Sequence, residues 1–210
     1  MNEATLKDIA RLMVVKAYKR GEMIFAEGDA GEAIFILKQG RIKLTKVNPD
    51  GKEQILHFVE PGGIFAEVVL FDAGPYPATA EVIEDARVGM LLNSDLEGLV
   101  CKSPKIALQM LRLMSRRLRA AQRTIRDLAL HDTYSRLAGV LLRYARKDGI
   151  RRAEGIELEL FLTRQELANF IGTTRETVAR ILSKFQADGS VKIRKRGQLL
   201  IDEEKLRSWV

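Results

Sequence analysis

The chain has 210 residues, 46% of them apolar, with 5 Pro and 16 Gly, which suffices for one large domain or two small ones with hydrophobic cores and excludes a disordered or collagen-like chain. Its single cysteine, Cys101, cannot close an internal disulfide, hold an iron-sulfur cluster or complete a structural zinc site, so a reduced, cytoplasmic protein is expected. The net charge of +7 is divided unevenly: residues 1–100 hold 11 Lys+Arg against 16 Asp+Glu, residues 101–134 hold 8 against 2, and residues 135–210 hold 16 against 10.

An acidic front and a basic back point to a polyanion, nucleic acid first, as partner of the C-terminal part. No secretory signal opens the chain and no apolar run reaches bilayer length, so no membrane partner is expected. Nor is an enzyme expected: there is no nucleophile with a partnered base, no His-Glu metal spacing and no Gly-rich Walker loop, and no metal site is assigned.

Over residues 18–92, short runs rich in Ile, Val, Phe and Leu alternate with glycine turns, as in Ala33–Leu37, Ile42–Val47 and Gln54–Val59. Asn48-Pro49-Asp50-Gly51 predicts a hairpin, because Asp-Gly supplies the positive φ that such turns require. Strands about ten residues apart predict an antiparallel sandwich or barrel. Its apolar interior offers two readings: a pocket lined by residues such as Phe35, Leu37, Phe58, Phe65, Leu70, Tyr76 and Leu118, or the same side chains filling the core.

Residues 104–131 change period to about three and a half. Leu111, Leu118 and Ile125 recur every seven, and Met114, Ala121 and Leu128 follow three later, the two rows of a narrow coiled-coil seam. Such a seam favours a homodimer over a helix lying on its own domain, which usually has a broader apolar face.

A helix over Tyr134–Lys147 ends at Gly149, and Ile156–Leu160 alternates like a short strand. Thr163 with Glu166 three residues later marks a helix start, and Gly172 closes that helix. The next helix, Thr174–Phe185, buries Val178, Ile181, Leu182 and Phe185 and exposes Arg175, Glu176 and Arg180. Two short helices joined through a glycine form a helix-turn-helix, whose second helix enters the major groove of double-stranded DNA. Arginine takes guanine O6 and N7 together and glutamate accepts from cytosine N4, which makes these three residues a base-reading set. Val191–Ile201 reads as two strands around a basic turn, a wing suited to phosphates through Lys195.

With these motifs in order, the chain resembles a Crp/Fnr-family transcriptional regulator over nearly its whole length. The resemblance is carried by Glu27-Gly28-Asp29-Ala30-Gly31-Glu32, by Pro61-Gly62-Gly63 with Phe65-Ala66-Glu67, by the long helix, and above all by Thr163-Arg164-Gln165-Glu166 followed by Thr174-Arg175-Glu176-Thr177-Val178-Ala179-Arg180. It implies an α+β fold: an N-terminal antiparallel β-roll (a double-stranded β-helix, jelly-roll-like) over 1–100, a dimerisation helix and hinge over 101–132, and a winged helix-turn-helix over 133–210. It also implies a TGTGA-like half-site under Arg175, Glu176 and Arg180, phosphate contacts near Arg164, Gln165, Thr174 and Thr177, and contact with RNA polymerase.

The sensor departs from the family's cyclic-nucleotide branch. Between Lys52 and Arg87 lie 34 residues without Lys or Arg, whereas a cyclic phosphate needs a cation. The branch's Gly-Glu pair reads Ala66-Glu67 here, its Arg-Ser pair falls at Tyr76-Pro77, and its adenine-facing Thr-Ser pair becomes Ala121-Gln122. Cyclic AMP is therefore not the expected effector. Glu67 still suits a ribose hydroxyl, so the candidate effector pocket takes Phe65, Glu67, Leu70, Tyr76, Leu118, Ala121 and Gln122. The heme-ligating histidine of the carbon-monoxide branch falls at Val68, and His57 and His131 read as structural or surface residues. An unidentified uncharged or weakly charged effector is the expectation, with a cyclic-nucleotide- or heme-responsive sensor and an effector-independent activator as alternatives.

Overall fold

The computed structural model describes residues 9–194 and 197–210, without the side chains of residues 127 and 128. Lys195 and the Leu128 side chain, expected at the wing and in the seam, lie outside the described residues. The chain divides into two compact units, one ending at Arg117 and the other covering Leu118–Val210. The boundary falls inside the segment expected to form a separate dimerisation helix.

The N-terminal unit is an antiparallel roll. Strands β1 (Val14–Tyr18), β2 (Met23–Phe25), β3 (Ala33–Val47), β4 (Glu53–Val59), β5 (Ile64–Phe65) and β6 (Thr79–Leu92) form one sheet in the order β1-β6-β3-β4, with β2 on β6 and β5 on β3. Two of the short runs expected from the sequence are halves of β3, which pairs with β6 from Ala33↔Leu92 to Thr45↔Thr79. The pairing shifts register between Leu37 and Ile42, where Gly40 at φ +86° lies so close to β6 that a Cβ would strike the Asp85 carbonyl oxygen. A bulge with no side chain bends the long ribbon over on itself. The turn joining β3 to β4 is closed by the Gly51 N–H donating to the Asn48 carbonyl at 2.9 Å and by Lys52 N–H donating to Asn48 Oδ1 at 2.8 Å.

Period-two alternation assigns the two faces of this ribbon. Phe35 and Leu37 of β3 and Val88 of β6 point into the roll with Phe25, Phe65 and Tyr76, while Ile34 and Leu91 point outward. Outside, they pack against Leu96 and Leu99 of helix α2 (Asn93–Lys102) and Ile106 and Met110 of helix α3 (Pro104–Leu130). A short helix, α1 (Val69–Asp72), follows β5. Burying side chains the size of Phe65, Leu37 and Leu91 is worth about 2 kcal/mol each, which makes these two apolar layers the main support of the unit.

The C-terminal unit begins in the second half of α3. Helix α4 (Thr133–Asp148) starts where the Asp132 side chain accepts from Ser135 N–H at 2.8 Å, a bond that lowers the Asp132 pKa. Strands β7 (Ile150–Arg152), β8 (Gly155–Glu159), β9 (Val191–Ile193) and β10 (Gln198–Ile201) form a sheet ordered β7-β8-β10-β9. Helices α5 (Arg164–Ile171) and α6 (Arg175–Ala187) lie between β8 and β9 in sequence, and α7 (Glu203–Arg207) follows β10. Trp209 stacks on Tyr134 with ring centroids 5.5 Å apart, packs on Phe185 at 5.3 Å and donates from Nε1 to Asp188 Oδ2 at 2.7 Å, tying the last residues to α4 and α6. Among the described residues no helix is long and apolar enough to cross a membrane.

Candidate nucleic-acid interface and sensor site

The pair α5–α6 is specified by local chemistry. Thr163 Oγ1 accepts from Glu166 N–H at 3.1 Å while Glu166 Oε2 accepts from Thr163 N–H at 2.7 Å, a complete capping box. Gly172 ends α5 at φ 70°, ψ 53°, a left-handed conformation that most side chains resist. Two residues later Thr174 opens α6, its Oγ1 accepting from Thr177 N–H at 3.2 Å and lying 3.0 Å from Thr177 Oγ1. The apolar face of α6, Val178, Ile181, Leu182 and Phe185, is buried.

That burial fixes which side of α6 faces outward. Arg175, Glu176 and Arg180 are exposed on its first two turns, and among the described residues none of them forms an ion pair. Three charged groups without partners at the positive end of a helix are free to bind a ligand that itself bears donors, acceptors and negative charge. Arg164 and Gln165 are exposed at the start of α5, where Gln165 Nε2 donates to Asn169 Oδ1 at 2.7 Å. In the wing, Lys192 is exposed and Arg194 pairs with Glu154 at 3.1 Å.

The seam residues of α3 are apolar and uncovered within the chain: Leu111, Leu118 and Ile125 are 58%, 62% and 66% exposed, Ala121 is exposed and Met114 is half-buried. The positions flanking this stripe include Ser115, Gln122 and Thr124, which bear no charge, and Arg117, whose guanidinium is engaged by Glu67, while Arg112, Arg116, Arg119 and Arg123 lie on the far side of the helix.

In the roll, the expected sensor residues divide. Phe65 and Tyr76 are buried with Phe25 and Phe35 in a stack whose centroids lie 4.0–6.1 Å apart. The Tyr76 hydroxyl donates to the Ala33 carbonyl at 3.0 Å and accepts from Ala33 N–H at 3.2 Å. These aromatics fill the interior. Leu70 packs against the outer layer instead, and Leu118, Ala121 and Gln122 are exposed on α3.

Glu67 is fully buried and follows Ala66, which sits at φ 60°, a conformation costing an alanine about 1 kcal/mol. Its carboxylate meets Arg117 of α3, Oε1 to Nη1 at 2.5 Å, and Arg117 Nη2 also donates to the Ile64 carbonyl. Burial raises the Glu67 pKa against the pull of Arg117, and burial lowers that of Arg117 against the pull of Glu67. His57 of β4 is held at about 4 by burial and then by the Arg117 charge.

Arg117, the partner of Glu67, is the residue that the sequence reading missed. The run from 53 to 86 has no cation, and the expectation of none nearby followed from it; the cation arrives from the long helix. The available signal was helical: Ile106, Met110, Leu113 and Arg117 lie three or four apart on one face, so an arginine closes the stripe that packs on the roll.

A family model described as "Cyclic nucleotide-binding domain" matches residues 15–103, and one described as "Crp-like helix-turn-helix domain" matches residues 135–209. The chain is 32% identical over 189 residues, 90% of its length and 84% of the relative's, to the "CRP-like cAMP-activated global transcriptional regulator" of Mycobacterium tuberculosis. It is 31% identical to the "Anaerobic regulatory protein" of Bacillus subtilis, over 85% of this chain and 75% of that one. Among solved structures, FixK2 from Bradyrhizobium japonicum superposes with a TM-score of 0.81 at 25% identity, covering 94% of this chain and 96% of that one. A CooA mutant from Carboxydothermus hydrogenoformans gives 0.84 at 25% identity, covering 100% and 92%.

Proposed function

The chain belongs to the Crp/Fnr family of DNA-binding transcription regulators, and from that premise we propose that it acts as a homodimer on an inverted repeat with TGTGA-like half-sites. The observation carrying this reading is the exposed set Arg175, Glu176 and Arg180 on the first turns of α6, without an ion pair among the described residues. Arg175 and Arg180 each read a guanine edge and Glu176 a cytosine amine, while Arg164, Gln165, Thr174, Thr177 and the wing hold phosphates. The uncovered seam Leu111, Leu118 and Ile125 joins two copies along α3, so the half-site centres lie about one helical turn apart. RNA polymerase is the expected partner at promoters, in the cytoplasm, and the work done is binding rather than catalysis.

The effector, where there is one, is a small molecule other than cyclic AMP, although some relatives are named for cyclic AMP. Three features support this reading. The roll interior is occupied by stacked aromatics, the Glu67 carboxylate is already engaged by Arg117, and the family resemblance sets Tyr76 at the position of the cyclic-nucleotide branch's cassette arginine. The same features favour a second reading, an effector-independent activator, because the roll and the long helix are already tied together through Arg117.

The test is fluorescence anisotropy of the full chain on a duplex carrying the inverted repeat and on a scrambled duplex, at several salt concentrations. The repeat should bind at least about a thousandfold more tightly at physiological salt. Equal affinities across the series, with and without cell extract, would sink the operator reading. An ultraviolet-visible spectrum of the purified protein tests heme directly.

A further inference from the structure

Outside the roll, between its outer face, α2 and the start of α3, lies a cavity of about 230 Å³. Its floor is Ile34 and Leu91 from the sheet, Leu96 from α2, and Ile106 and Met110 from α3, all buried. Ala10 and Gln109 are exposed at its edge. We propose that this cavity binds a medium-length, uncharged aliphatic chain.

The lining states the chemistry. Its walls are branched aliphatic residues and the thioethers of Met13 and Met110, with no aromatic ring and no charged group among the lining residues. Water gains nothing in such a space, since an ordered water needs two to four polar partners, whereas apolar cavities of about 150 Å³ stay dry and take up apolar guests. Methionines adapt their shape to flexible guests. Almost none of the cavity surface is polar, so nothing in it compensates a buried charge, which favours an uncharged guest.

The cavity is separate from Glu67, yet mechanically joined to it. Ile64 lines the cavity, and its carbonyl accepts from Arg117, the partner of Glu67. Ile106 and Met110 lie on the same helix two to three turns before Arg117. A guest wedged between β5 and α3 therefore acts on the element that carries both the Arg117 contact and the seam.

The test uses the full chain labelled with ¹³C at the isoleucine δ1 methyls and titrated with decan-1-ol, with decanoate and decylamine as charged controls. The Ile34, Ile64 and Ile106 methyls should shift together and saturate with decan-1-ol, while Ile171 and Ile181 of the C-terminal unit stay in place. Leu96→Phe, which fills the floor, and Ala10→Trp, which obstructs the exposed edge without touching the core, should each weaken binding about tenfold or more. Shifts spread over both units, no saturation, or unchanged binding in both Leu96→Phe and Ala10→Trp would overturn the proposal. No DNA enters the measurement, so either result leaves the operator reading where it stood.

Discussion

Glu67, with no exposed surface, and Arg117, on the long helix, share an ion pair 2.5 Å long that joins the turn after β5 to α3. Glu67 Oε2 has no hydrogen-bond partner among the described residues, so the guanidinium is the main compensation for burying this carboxylate. Removing one member of a buried pair costs about 3–5 kcal/mol, and the partial exposure of Arg117 brings the expected loss for Arg117→Met to about 2 kcal/mol. Adding Glu67→Gln should restore most of it, because no charge is then stranded. Urea unfolding followed by circular dichroism compares the three proteins; a double variant as unstable as Arg117→Met would show that the lost contact is not electrostatic.

His57 predicts an acid-sensitive roll. Its pKa is about 4 in the fold against an ordinary 6.5. Between those values the unfolded chain takes up a proton that the folded chain refuses, so stability is complete above pH 6.5 and falls as pH drops toward 4. The contribution of this group is at most about 3 kcal/mol. In His57→Gln the slope of stability over pH 6.5 to 4 should flatten, and comparing the two proteins cancels the carboxyl groups they share. Parallel curves would mean that His57 is charged in the fold.

Base reading and phosphate holding separate experimentally. Arg180→Ala should lose about 1–3 kcal/mol of discrimination at one base pair. Lys195→Ala should weaken matched and scrambled duplexes alike and reduce the salt slope by about one. Equal losses on both duplexes for Arg180→Ala would remove it as a reader.

The seam predicts the oligomeric state. Leu118→Asp places a carboxylate in the middle of an apolar stripe that is bare in the single chain, so the fold should persist while the dimer dissociates. Sedimentation velocity reads the mass, and a dimer of undiminished affinity would locate the interface elsewhere.

Gly172→Ala tests the turn between α5 and α6. At φ 70° an alanine is destabilised by about 1 kcal/mol relative to glycine, without any contact being lost. Thermal unfolding should register that shift; an unchanged midpoint would mean that the turn relaxes.

These residues also show what a sequence discloses. The Thr163–Glu166 box, the Gly172 stop and the Asn48–Gly51 turn are contacts between near neighbours, so residue type and spacing suffice to place them. The α3 stripe is legible for the same reason, as a repeat within one helix. Arg117 meeting Glu67 depends on how the long helix packs on the roll, which no local pattern encodes. The expected pocket residues went the same way: Phe65 and Tyr76 share an interior because Phe65 pairs with Phe35 of β3 and the Tyr76 hydroxyl is bonded to Ala33, while Leu118, Ala121 and Gln122 stay exposed on the helix. Helix α2 had no strong local signal and is held by Leu96 and Leu99 against the sheet.

Trp209 is the chain's one tryptophan, and it stacks on Tyr134 and packs at a tilt on Phe185 at the far end of the polypeptide. Its emission on excitation near 295 nm is thus a built-in lamp for the C-terminal unit alone. Melting the roll leaves that lamp in its pocket, so optical and calorimetric transitions that fail to coincide would time the two halves of the molecule separately.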